Sequence, residues 1–197
     1  MVVAAPAVDT VQVRVGGQDF RIRCLRDRLQ VADPMFGILW PAGTALAEEM
    51  AGHPVEGKRI LEVGCGIALP SLVLKRRGAD ITASDHHPMA AQFLRTNCEL
   101  NGLAPIPFEL ATWKDASLGR FDLLIGADLV YQPDQPAPLA AFLARHAAPE
   151  ARVIIADPGR RELAHFKNLM TKENFTGTEK RFALRGRILT FGQASAR

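Results

Sequence analysis

Cysteine is scarce in this chain of 197 residues. Its three cysteines, Cys24, Cys65 and Cys98, stand far apart and form no CxxC or CxxH pair. That spacing excludes a zinc ribbon and reads as free thiols in a reducing compartment. A strong charge of either sign is missing as well. The formal net charge is +3, too slight a bias to point to nucleic acid. No apolar run approaches the roughly 20 residues that cross a bilayer. The opening MVVAAPAVDT has no basic segment and soon meets Asp9, so it does not read as a secretory signal. Internal repeats and low-complexity tracts are absent too. These absences describe a cytoplasmic protein with no membrane and no nucleic acid as partner. What the chain does have is 48% apolar and 23% charged residues. That is enough for a full core without disulfides or a metal.

Residues 11–25, VQVRVGGQDFRIRCL, alternate apolar and polar around Gly16-Gly17 and predict a β-hairpin. Arg14, Arg21 and Arg23 share one phase of that alternation, the phase of a solvated face. Residues 1–35 read as an N-terminal arm carrying this hairpin, and 36–197 as the folded domain. Within the domain, Thr44 is placed to cap a helix that Gly52 and Pro54 close. Strand-like and helix-like segments then alternate: RILEV, LPSLVLKRRG, DITASD, PMAAQFLRTNCELNG, PFELATW, FDLLIGADLVY, PAPLAAFLARHA, ARVIIADPG and RRELAHFKNLMTKENF. This order predicts an α/β fold, a mostly parallel sheet with helices on both faces. LLIGA and VIIA suit strands buried on both sides. The tail TEKRFALRGRILTF reads as two strands around Gly186, an antiparallel edge. In such sheets ligands sit beyond the carboxyl ends of the strands, so the residues after ILEV, ITAS, ELAT and LLIGA are the ones to inspect.

From Ile60 to Pro70 the chain reads ILEVGCGIALP. Gly64 and Gly66 let backbone approach a ligand closely. A dinucleotide fingerprint would place a third glycine at position 69; here that residue is Leu69, followed by Pro70. Glu62 beside the turn would repel a pyrophosphate and attract a cation. A cofactor with ammonium and sulfonium groups suits this turn better than one with phosphates, which disfavours a nicotinamide-dependent oxidoreductase. Asp85 follows the glycines by roughly 20 residues, the spacing of an acid that binds ribose hydroxyls; it also suits the cap of the next helix. His86 and His87 lack a third ligand at helical spacing, so no metal site is read.

EVGCG followed by SD resembles the S-adenosylmethionine-binding motif of the seven-β-strand (class I) methyltransferases. Within that class the chain resembles the family-16 protein-lysine methyltransferases, which act on chaperones, elongation factors and the electron-transfer flavoprotein β subunit. The matching pieces are LWPAG (39–43), LEVGCGIALPSL (61–72), ASDHHP (83–88), TNCELN (96–101), Thr112-Trp113 and GADLVY (126–131). They occur in the family's order. One departure is Ala68, where the family often has a glycine. The resemblance implies a Rossmann-like, seven-stranded sheet and S-adenosylmethionine as cofactor. It places Gly64, Cys65 and Gly66 along the amino-acid part of that cofactor, Glu62 at its ammonium end and Asp85 at the ribose, and it counts His86 among the cofactor-binding residues. It lays Trp113 against adenine, lines the site with Ala127 and closes it with Trp40. Asp128 and Tyr131 are implied as the catalytic residues, at the mouth where an acceptor nitrogen meets the methyl group.

Attack requires a neutral amine, and free lysine has a pKa of about 10.4. A confined site beside a sulfonium would lower it. Asp128 would accept an N–H hydrogen bond and aim the lone pair; Tyr131 would wall the channel or bond the amine. Cys65, inside the turn with no histidine placed near it, is not read as a nucleophile. Asp157-Pro158-Gly159 lacks the NPPY pattern used on extruded bases. The expected reaction is N-methylation of lysine in a protein substrate, and the alternative acceptor is a small-molecule amine or pyridine. The basic stretch from Arg160 to Arg181 offers a face for an acidic protein surface, or simply a solvated helix.

Overall fold

The computed structural model describes residues 7–27, 35–114 and 118–193. Two strands, β1 (Val8–Val15) and β2 (Gln18–Leu25), pair antiparallel with Val15 opposite Gln18. Gly16 and Gly17 both have positive φ, 55° and 76°, as a two-residue type I′ turn demands. Val15, Phe20, Ile22 and Cys24 are buried, while Arg14, Arg21 and Arg23 are exposed. The arginine phase is therefore the solvated one.

The remaining elements are α1 (Pro41–Gly52), β3 (Arg59–Val63), α2 (Leu69–Arg76), β4 (Asp80–Asp85), α3 (Ala90–Leu100), β5 (Phe108–Leu110) and β6 (Phe121–Ala127). They continue with α4 (Pro136–His146), β7 (Ala147–Asp157), α5 (Glu162–Lys172), β8 (Phe175–Phe182) and β9 (Gly186–Gln193). Seven strands form one sheet in the order β5-β4-β3-β6-β7-β9-β8. The first five are parallel; β9 runs antiparallel to β7 and β8 antiparallel to β9. This is the expected sheet with its antiparallel edge.

Strand alternation splits the core in two. Ile60, Leu123, Ile125 and Ile154 pack on one face with Leu46, Leu72 and Phe93 from α1, α2 and α3. Leu61, Leu124, Val153 and Ile155 pack on the other with Leu139, Phe142 and Phe166 from α4 and α5. Burial on both sides explains why these strands read as continuous apolar runs. The hairpin joins the first core through Phe20, Ile22 and Leu25. It is also stitched to α3. The Asn97 carboxamide accepts from the Arg23 N–H at 2.7 Å and donates to the Arg23 carbonyl at 3.3 Å. Asn101, one turn on, accepts from the Arg21 N–H at 3.0 Å and donates to its carbonyl at 2.7 Å. Two helix side chains thus serve β2 as a neighbouring strand would.

Two boundaries differ from expectation. Thr44 does not cap α1: the helix begins at Pro41, whose fixed φ suits a first helical position, and Thr44 Oγ1 donates back to the Trp40 carbonyl at 3.5 Å. The strand expected through Trp113 ends at Leu110, because its one neighbour among the described residues, β4, ends at the paired Asp85. Successive strands run outward from β3 on one side and from β6 on the other, so the topological switch point lies between those two strands.

Candidate active site

At the carboxyl ends of β3, β4 and β6 lies a cavity of about 310 Å³. That is within the range of small-molecule sites, about 300–1,000 Å³. Every candidate residue read from the sequence lines it: Trp40, Glu62, Gly64, Cys65, Gly66, Asp85, His86, Trp113, Ala127, Asp128 and Tyr131.

The floor is the turn from β3 into α2. Gly64 and Gly66 have φ of 62° and 53°, conformations that L side chains rarely adopt. A Cβ on Gly64 would stand 2.4 Å from Leu129 Cδ2, whereas one on Gly66 would meet no protein atom within 4 Å. Ala68 also takes a left-handed conformation, φ 62°, as the N-cap of α2. It has no side-chain oxygen to cap the helix. Glu62 supplies one from the neighbouring strand: its Oε2 accepts the Ser71 N–H at 2.9 Å and bonds the Ser71 hydroxyl. Glu62 is only 3% exposed. Burial pushes its carboxyl up to about 8, against the lowering effect of the two Ser71 hydrogen bonds and with a further rise from the charge of Asp85. Burial likewise pushes the Cys65 thiol well above its ordinary value, reinforced by Asp85 and Glu62. That is the opposite of an activated nucleophile.

Asp85 ties the turn to the exit of β4. Its Oδ2 accepts the Gly66 N–H and its Oδ1 the His87 N–H, each at 2.8 Å. The second bond is local to the strand exit, since α3 starts from Met89. His86 is exposed, with Nδ1 3.4 Å from Asp85 Oδ1. Phe36 stacks on His87 with ring centroids 3.7 Å apart and meets Phe93 edge-on. The Trp40 indole N–H donates to the Met35 carbonyl at 2.8 Å, which holds the indole at the cavity wall. Trp113, three residues past β5, also lines the cavity and is half buried.

Asp128 follows β6 in a left-handed conformation, φ 59°, which aspartate tolerates better than most residues. Packing imposes it. Leu129 folds back between Gly64 and Gly126; a Cβ on Gly126 would lie 2.6 Å from Leu129 Cδ1 and 2.9 Å from the Val63 carbonyl. The Asp128 N–H donates to the Ala156 carbonyl at 3.0 Å. Asp128 Oδ1 lies 2.7 Å from Arg160 Nη2, and Oδ2 is buried without a hydrogen-bond partner among the described residues. Burial raises the Asp128 carboxyl, the Arg160 hydrogen bond and charge pull it down, and Asp157 raises it again. The loop after Asp128 is fixed by Gln135, whose Oε1 accepts the N–H groups of Tyr131 and Gln132, both at 2.8 Å.

Sequence reasoning missed Phe36, Gln135, Phe142 and, above all, Arg160. The sequence did place Arg160 just past a buried strand, and a strand exit is where a functional residue is sought.

Among solved structures, the Thermus thermophilus 16S rRNA N2 G1207 methyltransferase RsmC, in complex with AdoMet and guanosine, superposes with a TM-score of 0.75 at 18% identity. The match covers 96% of this chain and 52% of that one. The ribosomal protein L11 methylase of Lactobacillus delbrueckii superposes at 0.70 with 20% identity, over 82% and 83% of the two chains. The fold is thus that of the class I S-adenosylmethionine-dependent methyltransferases. Within that class, residues 27–173 match the lysine methyltransferase family, and the chain belongs to it. The electron transfer flavoprotein beta subunit lysine methyltransferase of Rattus norvegicus is 36% identical over 133 residues, 66% of this chain and 52% of that protein. Histone-arginine methyltransferase METTL23 of Xenopus laevis is 30% identical over 114 residues, 53% of this chain and 49% of that one. The chain spans about half the length of the curated relatives it matches.

Proposed function

We propose that the protein transfers methyl groups from S-adenosylmethionine to the side-chain nitrogen of lysine in a protein substrate. The residues present fit that cofactor. Gly66 leaves open space where a Cβ would stand, the carboxyls of Glu62 and Asp85 border the same turn, and two indoles flank the cavity. Glu62 would face the ammonium group, Asp85 and His86 the ribose, and Trp113 the adenine, with Gly64, Cys65, Ala127 and Trp40 lining the rest. When bound, the cofactor supplies a methyl already activated by its sulfonium, so the protein's work is positioning.

The observation that carries the reading is Asp128: a cavity-lining carboxylate with one oxygen held by Arg160 and the other unpartnered among the described residues. An orphaned buried acceptor calls for an explanation, and the N–H of an incoming amine supplies one. Tyr131, fixed by Gln135, would wall the channel. Lysine is favoured over arginine because the family and the more similar curated relatives carry lysine in their names. Incubation with methyl-labelled S-adenosylmethionine and cell extract, followed by mass spectrometry, tests it. Label on lysine of a protein is expected. Label confined to small amines, or to arginine, would overturn the acceptor assignment.

A further inference from the structure

We propose that Arg160 is a positioning residue for methyl transfer: its guanidinium fixes Asp128 as a charge-balanced acceptor and leaves one oxygen open to the attacking amine. This inference rests on the lysine-directed reading above and adds a residue to it.

Arg160 lies just past β7 and forks between two carboxylates. Its Nη2 is 2.7 Å from Asp128 Oδ1 and its Nη1 is 2.9 Å from Asp157 Oδ2. Asp157 is fully buried and saturated, because its Oδ1 also accepts the N–H groups of Gly159 and Arg160, both at 2.7 Å. The loop that carries Arg160 is clamped in turn. Gly159 has φ 91° and packs so closely on the turn between β8 and β9 that a Cβ would lie 2.4 Å from the Arg185 carbonyl. Of the two carboxylates the fork holds, only Asp128 keeps an acceptor oxygen unengaged among the described residues.

The charge arrangement suits an amine that must give up its proton. Two bare carboxylates beside the acceptor would stabilise its ammonium form and hold the nitrogen lone pair out of reaction. One guanidinium between them offsets one of those charges. The lone acceptor oxygen can then orient an N–H without locking in the extra proton. A planar fork does this and a point charge does not, since one guanidinium nitrogen anchored on Asp157 sets the direction from which the other meets Asp128.

The other titratable or charged groups around Asp128 are Tyr131 from its own strand exit, Glu62 and Cys65 on the β3 side, and Asp85 with His86 on the β4 side. Asp157 and Arg160 face it from β7. Removing Arg160 leaves Asp128 opposite Asp157 in a buried setting. Both the loss of the guanidinium and the like charge then push its carboxyl upward, by about 1–3 units. The acidic limb of the transfer rate moves upward with it, since a protonated Asp128 and a more strongly held ammonium act in the same direction.

The test is carboxyl-carbon NMR of the aspartate-labelled protein without cofactor, with Asp128 assigned by difference from D128N. In R160Q the Asp128 midpoint is expected about 1–3 pH units above wild type; in R160K, which keeps the charge, most of that rise is absent. With methyl-labelled S-adenosylmethionine and the protein fraction of a cell extract, R160Q is expected to lower the labelling rate at neutral pH by about tenfold or more. Its cofactor affinity stays at wild-type level and its rate recovers as pH rises. R160K recovers only part of the rate. If R160Q does not fold, the double variant R160Q/D157N, compared with D157N alone, isolates loss of the guanidinium in the same carboxyl readout, because position 157 is then neutral in both. An Asp128 midpoint unchanged by loss of Arg160 overturns the inference. A wild-type protein that labels no protein lysine refutes the proposed function instead, and the titration still decides the role of Arg160.

Discussion

Replacing Glu62 with glutamine is expected to flatten the pH dependence of stability. Glu62 is 3% exposed beneath α2, and burial raises its carboxyl to about 8. In the unfolded chain a glutamate titrates at about 4.3. Between those values the folded protein keeps a proton that the unfolded chain has released. Stability from this group is therefore complete below the unfolded value and is lost as pH rises through the folded one. The slope is at most about 1.4 kcal/mol per pH unit for one proton. From about pH 5 to about pH 7.5 that amounts to roughly 3 kcal/mol. Glutamine is neutral throughout, and its carbonyl can still accept the Ser71 N–H that Glu62 now holds. Urea denaturation of wild type and Glu62→Gln at the two pH values isolates the contribution by difference, because other titrating groups are common to both. Wild type should lose about 3 kcal/mol relative to the variant over that interval. Parallel pH dependences would refute the reasoning, and with it the picture of a protonated acid under the glycine turn.

Binding a cationic cofactor beside the same carboxyl should expel its proton; calorimetry near neutral pH in buffers of different ionisation enthalpy will show release in wild type and none in Glu62→Gln. Asp128→Ala should keep wild-type affinity for S-adenosylhomocysteine and lose methyl transfer by about 100-fold or more, measured with labelled cofactor. Trp113→Ala should weaken S-adenosylhomocysteine binding by about tenfold, or about 1.4 kcal/mol, if the indole stacks on adenine. Gly126→Ala should destabilise by about 1–3 kcal/mol, since its methyl meets the Val63 carbonyl backbone and not only a pliable side chain. A melting temperature within a degree of wild type would contradict that packing.

The parts of the fold that were legible in the sequence are those set by local rules. Gly16-Gly17 fixed the hairpin because only paired positive φ angles join strands so tightly. ILEV, LLIGA and VIIA announced strands because burial on both faces leaves no polar phase. The glycine turn and the acid roughly 20 residues beyond it were readable because both follow a strand directly. Contacts set by register were not. Asp128 and Asp157 are far apart in sequence, and only the parallel pairing of Ala127 with Ala156 puts their strands' exits side by side for Arg160 to bridge. Glu62 looked like a residue aimed solely at a ligand, because nothing in the sequence showed that Ala68 leaves α2 without a cap. Leu129 gave no sign of being the wedge that makes Gly64 and Gly126 obligatory. Thr44 misled because a good capping residue carries less weight than a proline placed three positions earlier.

The carboxamide of Asn97 donates to the Ile67 carbonyl at 3.0 Å as well as to β2. One side chain therefore touches both the turn under the cavity and the hairpin on the flank. Anything that stills the turn also stills that amide, and the Arg23 N–H it receives should then exchange with solvent more slowly. Deuterium uptake at Arg23 becomes a gauge of whether the cavity is filled, read from a strand that does not line it.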